Sequence, residues 1–410
     1  MIKKIFSRLS AEPRRNLLIG NGLAQALLFA GIAGISRVYA VETVGAWSAS
    51  IAFINLIWSF SQLKTDVALL QTQDDLEKKQ LLDLGFVSHL LFSAVALLLA
   101  HGFGLFVGTD NLLLFSVIAS HGIQQLYSAW CLSAHAYTQV NWMRITNIAI
   151  AYPGSLLLFL WCGPSGLLWA LLIGNILPAL MLFISGKVPW LGGSGLRFQW
   201  RELVEKHLQT MSFLSLGNFL LSLSEQGMIL MISIYYDAGQ TAAFFLASRV
   251  CNQPLSFVQS AMSQYNMRHF QDLYLEGNFK STVLWRYWKK WAPAGLLYFL
   301  PILVFGPWLF SLIFGANWAL AGQFARILGL LAFVRFLNSP TSMGLFIIGK
   351  QRIFFQFTII VTLIFGCTVM FAQFKYPLFE VVMLSSFLQI LCILGYNRTM
   401  LIEIERSNRA

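Results

Sequence analysis

Residues 166–186 read GLLWALLIGNILPALMLFISG, a run with no charged side chain. A single helix needs about 20 such residues to cross a bilayer. Comparable stretches recur along the whole 410-residue chain, at 17–36, 45–69, 81–107, 111–134, 143–161, 166–186, 208–233, 240–265, 291–314, 322–348, 353–372 and 377–397. Composition agrees, because a chain that is 57% hydrophobic and 11% charged could hardly cover a soluble surface. In lipid only helices or closed barrels satisfy the backbone, and these runs lack the apolar–polar alternation of barrel strands. The expected fold class is an all-α polytopic membrane protein of about twelve transmembrane helices.

The net charge of +11 invites a nucleic-acid partner, but the position of the cations argues otherwise. With the N-terminus inside, twenty-two Lys and Arg residues fall on inward-facing ends and loops, from Lys3 and Lys4 to Arg406 and Arg409. Arg37 and Lys375 fall outside, and Lys64, Arg249, Arg326 and Arg335 lie within spans. This is the positive-inside pattern, so the basic charge sets topology, both termini are expected in the cytoplasm, and no nucleic acid is expected. The arm Met1–Arg15 is expected to contact anionic membrane lipids. Five scattered cysteines, Cys131, Cys162, Cys251, Cys367 and Cys392, form no metal or redox spacing. With no Walker A, HExxH or GxSxG sequence, no catalytic, metal or cofactor site is assigned, and the chain is expected not to be an enzyme.

The expected organisation is a basic arm at 1–16, a six-helix bundle at 17–186, a linker at 187–207, a second six-helix bundle at 208–397 and a tail at 398–410. The largest non-spanning pieces, Gly186–Lys206 and Arg268–Lys290, are too short for a catalytic domain. The first, with Gly192-Gly193-Ser194-Gly195, divides the chain near its middle. Sliding the halves by 197 residues superposes Gly20-Asn21 on Gly217-Asn218, Ile35-Ser36 on Ile232-Ser233, Tyr39 on Tyr236 and Ala46 on Ala243. Six spans per half give both halves the same orientation, a parallel internal repeat of the kind found in transporters.

Charges inside a bilayer cost about 2.5–3.5 kcal/mol each on insertion scales, so those retained here should face a cavity or one another. In the eighth span Arg249, Asn252, Gln253, Ser256, Ser260, Ser263 and Gln264 trace one helical face. That stripe either lines a wet path or seals a helix seam. The seventh span carries Ser215, Asn218, Ser222, Glu225 and Gln226. Glu225 and Arg249 each lie about nine residues below the same outer turn, roughly 14 Å deep, and are expected to pair, as an ion or substrate site or as a structural pair. In the second span Asn55, Ser59, Gln62 and Asp66 are expected on one face, with Lys64 snorkelling to the inner surface. In the tenth, Arg326 is expected to snorkel outward, while Arg335 lies deeper on a face with Asn338 and Ser342, ahead of Pro340. His89, His101 and His121 read as polar seam residues. Deep cations (Lys64, Arg249, Arg335) outnumber deep anions (Asp66, Glu225), which suggests an anionic substrate group such as a phosphate.

Short stretches then carry a resemblance. Leu246-Ala247-Ser248-Arg249-Val250, the run from Pro307 to Gly315, Trp318-Ala319-Leu320-Ala321-Gly322, Ala325-Arg326-Ile327-Leu328, Ser339-Pro340 and Gly349-Lys350-Gln351-Arg352 are one set. Together they resemble the polysaccharide-transporter branch of the flippase superfamily that includes lipopolysaccharide O-antigen flippases. Lys64-Thr65-Asp66 stands where members show Arg-x-Glu, a departure that keeps both signs. The resemblance implies two bundles working by alternating access in a bacterial inner membrane. It implies export of an undecaprenyl-diphosphate-linked oligosaccharide, driven by an ion gradient. Arg249, Arg335, Lys64, Asn218, Gln253 and Asn338 are the candidate substrate-binding residues, and Glu225 and Asp66 the candidate ion-coupling residues. A polysaccharide polymerase and a chain-length regulator are the protein partners this family suggests. A drug or metabolite exporter, a non-transporting scaffold and a glycan polymerase are the alternatives; the missing outer loop disfavours the polymerase.

Overall fold

The computed structural model describes residues 13–72, 74–102, 106, 110–191, 200–209, 211–212, 215–276, 278–338, 341, 344–348 and 350–407. The arm at 1–12, Gly192-Gly193-Ser194-Gly195, Ser339-Pro340 and Ser342 therefore lie outside the described residues. The described chain is helical throughout, without strands. In the first half the helices are α1 (Pro13–Val38), α2 (Val41–Ser61), α3 (Thr65–Gln71), α4 (Asp75–Gly102), α5 (Asn111–Ser133), α6 (Tyr137–Ala151), α7 (Pro153–Cys162) and α8 (Gly166–Ile184). A short linker helix α9 (Trp200–Gln209) follows. The second half holds α10 (Ser215–Tyr235), α11 (Ala238–Leu275), α12 (Ser281–Phe314), α13 (Ala319–Asn338), α14 (Gly344–Ile347), α15 (Gln351–Gln373) and α16 (Leu378–Ser407). The chain forms two compact units, Met1–Ser222 and Leu223–Ala410.

By length and composition, eight helical stretches among the described residues could cross a membrane, with Pro153–Ile184 counted as one. That stretch is a hairpin, because Gly163 takes φ +57 and reverses the chain. The amide of Asn147 reaches Asn175, and Gly166 packs against Leu158, so the two arms run antiparallel. α6 leads into α7 as the fifth span, bent where Pro153 denies a backbone donor, and α8 is the sixth. The span therefore begins at Tyr137, earlier than the expected 143. With α1, α5 and the stripe-bearing α11, twelve spans are present among the described residues, in agreement with the expected fold class.

The second span corrects the sequence expectation. α2 stops at Ser61, Leu63 and Lys64 take φ of 50 and 55, and α3 starts at Thr65. Each left-handed non-glycine residue costs about 1–2 kcal/mol, so the break must be held by its surroundings. Gln62, 2% exposed, donates from Nε2 to the Gly122 carbonyl at 2.9 Å. His89 Nε2 lies 2.9 Å from the Ile118 carbonyl, which places the proton there and leaves Nδ1 to accept from the Ser61 hydroxyl at 2.6 Å. Gly122 is required here, since a Cβ would enter the His89 ring. Consequently Asp66 does not continue the face of Asn55, Ser59 and Gln62, and in this half the polar face is a helix seam. Lys64 is half-buried, and its ammonium sits 5.6 Å from the Trp58 ring centroid.

The internal repeat is visible as repeated chemistry. Ser36 and Ser233, 197 residues apart, each donate to the carbonyl three residues back. Tyr39 donates to the Ser155 carbonyl, in the fifth span of its half, at 2.7 Å. Tyr236 donates to the Tyr376 carbonyl, just after the fifth span of its half, also at 2.7 Å. The same offset superposes Asn55, Ser59, Phe60 and Gln62 on Asn252, Ser256, Phe257 and Gln259. Removing the buried Tyr39 hydroxyl leaves a carbonyl unsatisfied, so Tyr39→Phe should cost about 1–3 kcal/mol and the more exposed Tyr236→Phe about 0.5–1.5 kcal/mol. Thermal unfolding of each variant in detergent checks that order.

α9 is anchored within the first unit. Leu203 packs with Ala68, Leu81 and Leu84, while Glu77 accepts from Lys206 at 2.7 Å and meets His207 Nε2 at 2.8 Å. In the second unit α11 is 38 residues long, about 57 Å, well beyond a hydrocarbon core of about 30 Å. Residues 268–275 continue this helix and 281–290 open α12, leaving only a short connection. Phe270, Phe279, Leu284, Leu345, Met400 and Ile404 close a small core around these extended basic ends.

Candidate functional site

The second unit gathers a polar constellation from three helices. Arg335 on α13 donates from one guanidinium nitrogen to Glu225 Oε1 on α10 at 3.2 Å, and from the other to Gln389 Oε1 on α16 at 2.7 Å. Gln389, itself 7% exposed, passes its amide on to the Ser385 hydroxyl at 3.3 Å. Each residue has a local reason to be in place. α13 is held against α12 where Gly306 and Gly322 let the two backbones meet, and α10 is seated where Gly227 admits the Phe365 ring. α16 presents Ser385 and Gln389 one turn apart, so they share a face.

The electrostatics are asymmetric. The Glu225 side chain is 57% exposed and the Arg335 side chain 29%. In an otherwise apolar helix pair, that exposure marks groups that face open space while gripping each other from one side. A guanidinium has five N–H donors and a carboxylate about four acceptor sites. Arg335 therefore keeps donors for an anion, and Glu225 keeps lone pairs for a proton or cation.

This arrangement overturns one expected pairing. Glu225 is bridged to Arg335, and Arg249 forms no salt bridge among the described residues. Arg249 instead lies 5.0 Å from the Phe245 ring centroid on its own helix. Equal depth on adjacent helices put Glu225 and Arg249 level, but the side chains leave their helices in different directions, which depth alone does not encode. Arg326, itself exposed, donates to the Val304 carbonyl at 2.7 Å, across the α12–α13 hairpin and beside the kink at Phe305.

The remaining candidates are spread out. Asn252 donates to the Ser248 carbonyl at 3.0 Å, and Gln253 is half-buried beside it. The α11 side chains from 254 to 269, and hence Ser256, Ser260, Ser263 and Gln264, lie outside the described residues. Asn338, 8% exposed, has no hydrogen-bond partner for its Oδ1 among the described residues. Asn218 is exposed on α10 in the first unit. Lys64 and Asp66 flank the α2–α3 break, and Asp66 has no salt bridge among the described residues. Among the described residues no cluster of His, Cys, Asp and Glu could hold a metal.

Several polar residues were not singled out from sequence. Gln389 completes the Arg335 cluster. In the first unit Asn147 donates to Gln124 and Asn175, and Asn175 to Ser120, a buried chain across α5, α6 and α8. Asp83, 5% exposed, is a carboxylate within a span. The readable signal was a polar side chain in an apolar run, carrying a charge only at Asp83.

No protein-family model and no curated protein matches the sequence. Solved structures match in fold over nearly the whole chain. One is a multidrug-resistance MATE-family transporter of the MOP superfamily in an inward-facing conformation, 15% identical, covering 96% of each chain with a TM-score of 0.67. Another is the lipid II flippase MurJ in an inward closed conformation, 14% identical, covering 95% of this chain and 89% of that one with a TM-score of 0.73. A MOP-superfamily transporter from Pyrococcus furiosus, 14% identical, covers 98% and 97% with a TM-score of 0.58. The fold is thus that of a multi-pass membrane transporter class. In particular, it is the twelve-helix, two-bundle fold that the MATE transporters and MurJ share.

Proposed function

We propose that the chain is a flippase that moves a lipid-diphosphate-linked oligosaccharide across the bacterial inner membrane by alternating access, with the basic face in the cytoplasm. The observation that carries this function is the Glu225–Arg335–Gln389 constellation, a half-open ion pair on an apolar scaffold, in a unit whose further intramembrane cation, Arg249, no carboxylate neutralises among the described residues. An excess of guanidinium over carboxylate suits a diphosphate, which arginine grips with paired N–H donors. Arg335, Arg249 and Lys64 supply charge, while Gln253, Asn218 and Asn338 supply neutral hydrogen bonds to sugars. The fold likeness to a lipid II flippase supports the same class of cargo. A polysaccharide polymerase and a chain-length regulator are the proposed partners.

Coupling follows from competition for one guanidinium. When the diphosphate engages Arg335, Glu225 is released from its counter-ion and becomes available to a coupling ion. Proton uptake at Glu225 then accompanies substrate loading, and its release accompanies substrate departure. Asp66 is the second coupling candidate. In proteoliposomes, Glu225→Gln should transfer substrate without a gradient but gain nothing from an imposed proton gradient, whereas the native chain accelerates. Equal acceleration in both would remove Glu225 from coupling. The likeness to a MATE multidrug transporter favours a second function, export of a small drug or metabolite, which neutralising Arg335 and Arg249 would leave intact.

A further inference from the structure

The first unit contains a cavity of about 310 Å³ that the polar site does not use. It lies between α4, α5 and α8, spanning the half of the bundle nearer its basic face, from Ser120 on α5 to the segment that follows α8. That segment folds back as a lip. Val188 is buried with Tyr127 and Leu182, and the Pro189 carbonyl accepts the Tyr127 hydroxyl at 3.2 Å. Trp190 then packs on Phe183 with ring centroids 5.2 Å apart.

The walls ask for an apolar guest. The Ser120 hydroxyl donates to the Val117 carbonyl and the Tyr127 hydroxyl to the Pro189 carbonyl, so both hydroxyls of the lining are already satisfied. Cavities lined this way stay dry and take hydrocarbon. Ile176 and Leu180, 44% and 46% exposed, flank the cavity on the lipid-facing side of α8, so a chain can enter sideways from the bilayer. Phe86, Tyr127, Phe183 and Trp190 give broad, flat walls that suit the planar double bonds and methyl branches of an isoprenoid. Lys187, exposed and directly before the buried Val188 of that lip, gives the same segment a cation for a diphosphate headgroup.

We infer that this cavity holds the first isoprene units of a polyprenyl diphosphate, seating the tail of the cargo in the first unit. This rests on the flippase function proposed above, and it assigns the lipid moiety a site separate from the Arg335 cluster. Ala179 forms part of the wall, so Ala179→Trp would fill the space.

The test uses the full chain in liposomes with a polyprenyl diphosphate carrying a diazirine near its headgroup, and peptide mapping of the adducts. The expected result is labelling of peptides from α8 and residues 187–191, reduced severalfold by unlabelled polyprenyl diphosphate and by Ala179→Trp. Should that variant fail to fold, competition on the unaltered chain decides. Absence of adducts there would overturn the assignment. So would equal labelling by a diazirine phospholipid that unlabelled polyprenyl diphosphate does not displace, which would make the cavity a site for bulk lipid. Pocket labelling without any transfer by the native chain would sink the flippase function and leave the isoprenoid site standing. Transfer without pocket labelling would do the reverse.

Discussion

Replacing Arg335 by Ala is expected to lower transfer of a lipid-diphosphate-linked oligosaccharide by about ten- to a hundred-fold, the equivalent of one or two charge-assisted hydrogen bonds. The loss has two sources. The diphosphate loses its paired donors, and Glu225 and Gln389 lose the group that orients both of them. Arg335→Lys should recover only part of the rate, since an ammonium cannot reach both oxygens in the fork geometry of a guanidinium. Exchanging the pair, Glu225→Arg with Arg335→Glu, should restore folding better than either single reversal, while transfer stays low because the cation has moved to another helix. Initial rates at matched reconstitution, with unfolding temperatures alongside, separate binding from stability. Unchanged transfer in Arg335→Ala would discard the site.

Gly322→Val is expected to produce the largest loss of stability. Gly306 and Gly322 let α12 and α13 meet backbone to backbone, and a Cβ on Gly322 would enter Gly306 and Pro307. Main chain cannot rotate out of the way as a side chain can, so the helices must part, at about 1–3 kcal/mol or more. That separation would also move Arg335, about three and a half turns further along α13, away from Glu225. Transfer should therefore fall together with the unfolding temperature. Gly366 on α15 has nothing within 4 Å of its added Cβ, so Gly366→Ala should be neutral or gain up to about 1 kcal/mol from helix propensity. A Gly322→Val protein as stable as the native chain would contradict the packing described for this hairpin.

The spans were legible because bilayer thickness forces a run length that hydropathy alone exposes. The repeat was legible at Ser36/Ser233 and Tyr39/Tyr236, where each pair performs the same local task in both halves. The break after Ser61 was not. Leu63 and Lys64 are neither Gly nor Pro, and their left-handed backbone is imposed by tertiary partners such as Gly122 and His89 rather than by local preference. Arg335 was legible as a deep cation, but its partners were not. Helical depth follows from counting residues, whereas Glu225's pairing with Arg335 rather than Arg249, and Gln389's place beside Arg335, depend on helix rotation and on which helices pack together. Gln389 was missed for a related reason: a single amide in an apolar run carries meaning only once the guanidinium facing it is known.

The most direct test of the central proposal compares two cargoes on the native chain in one proteoliposome preparation. One is a lipid-diphosphate-linked oligosaccharide, scored by headgroup access to an external glycosidase; the other is a lipophilic drug cation, scored by uptake. Gradient-stimulated transfer of the glycolipid with no transport of the cation is the predicted result. Transport of the cation with no transfer of several lipid-linked glycans would contradict it.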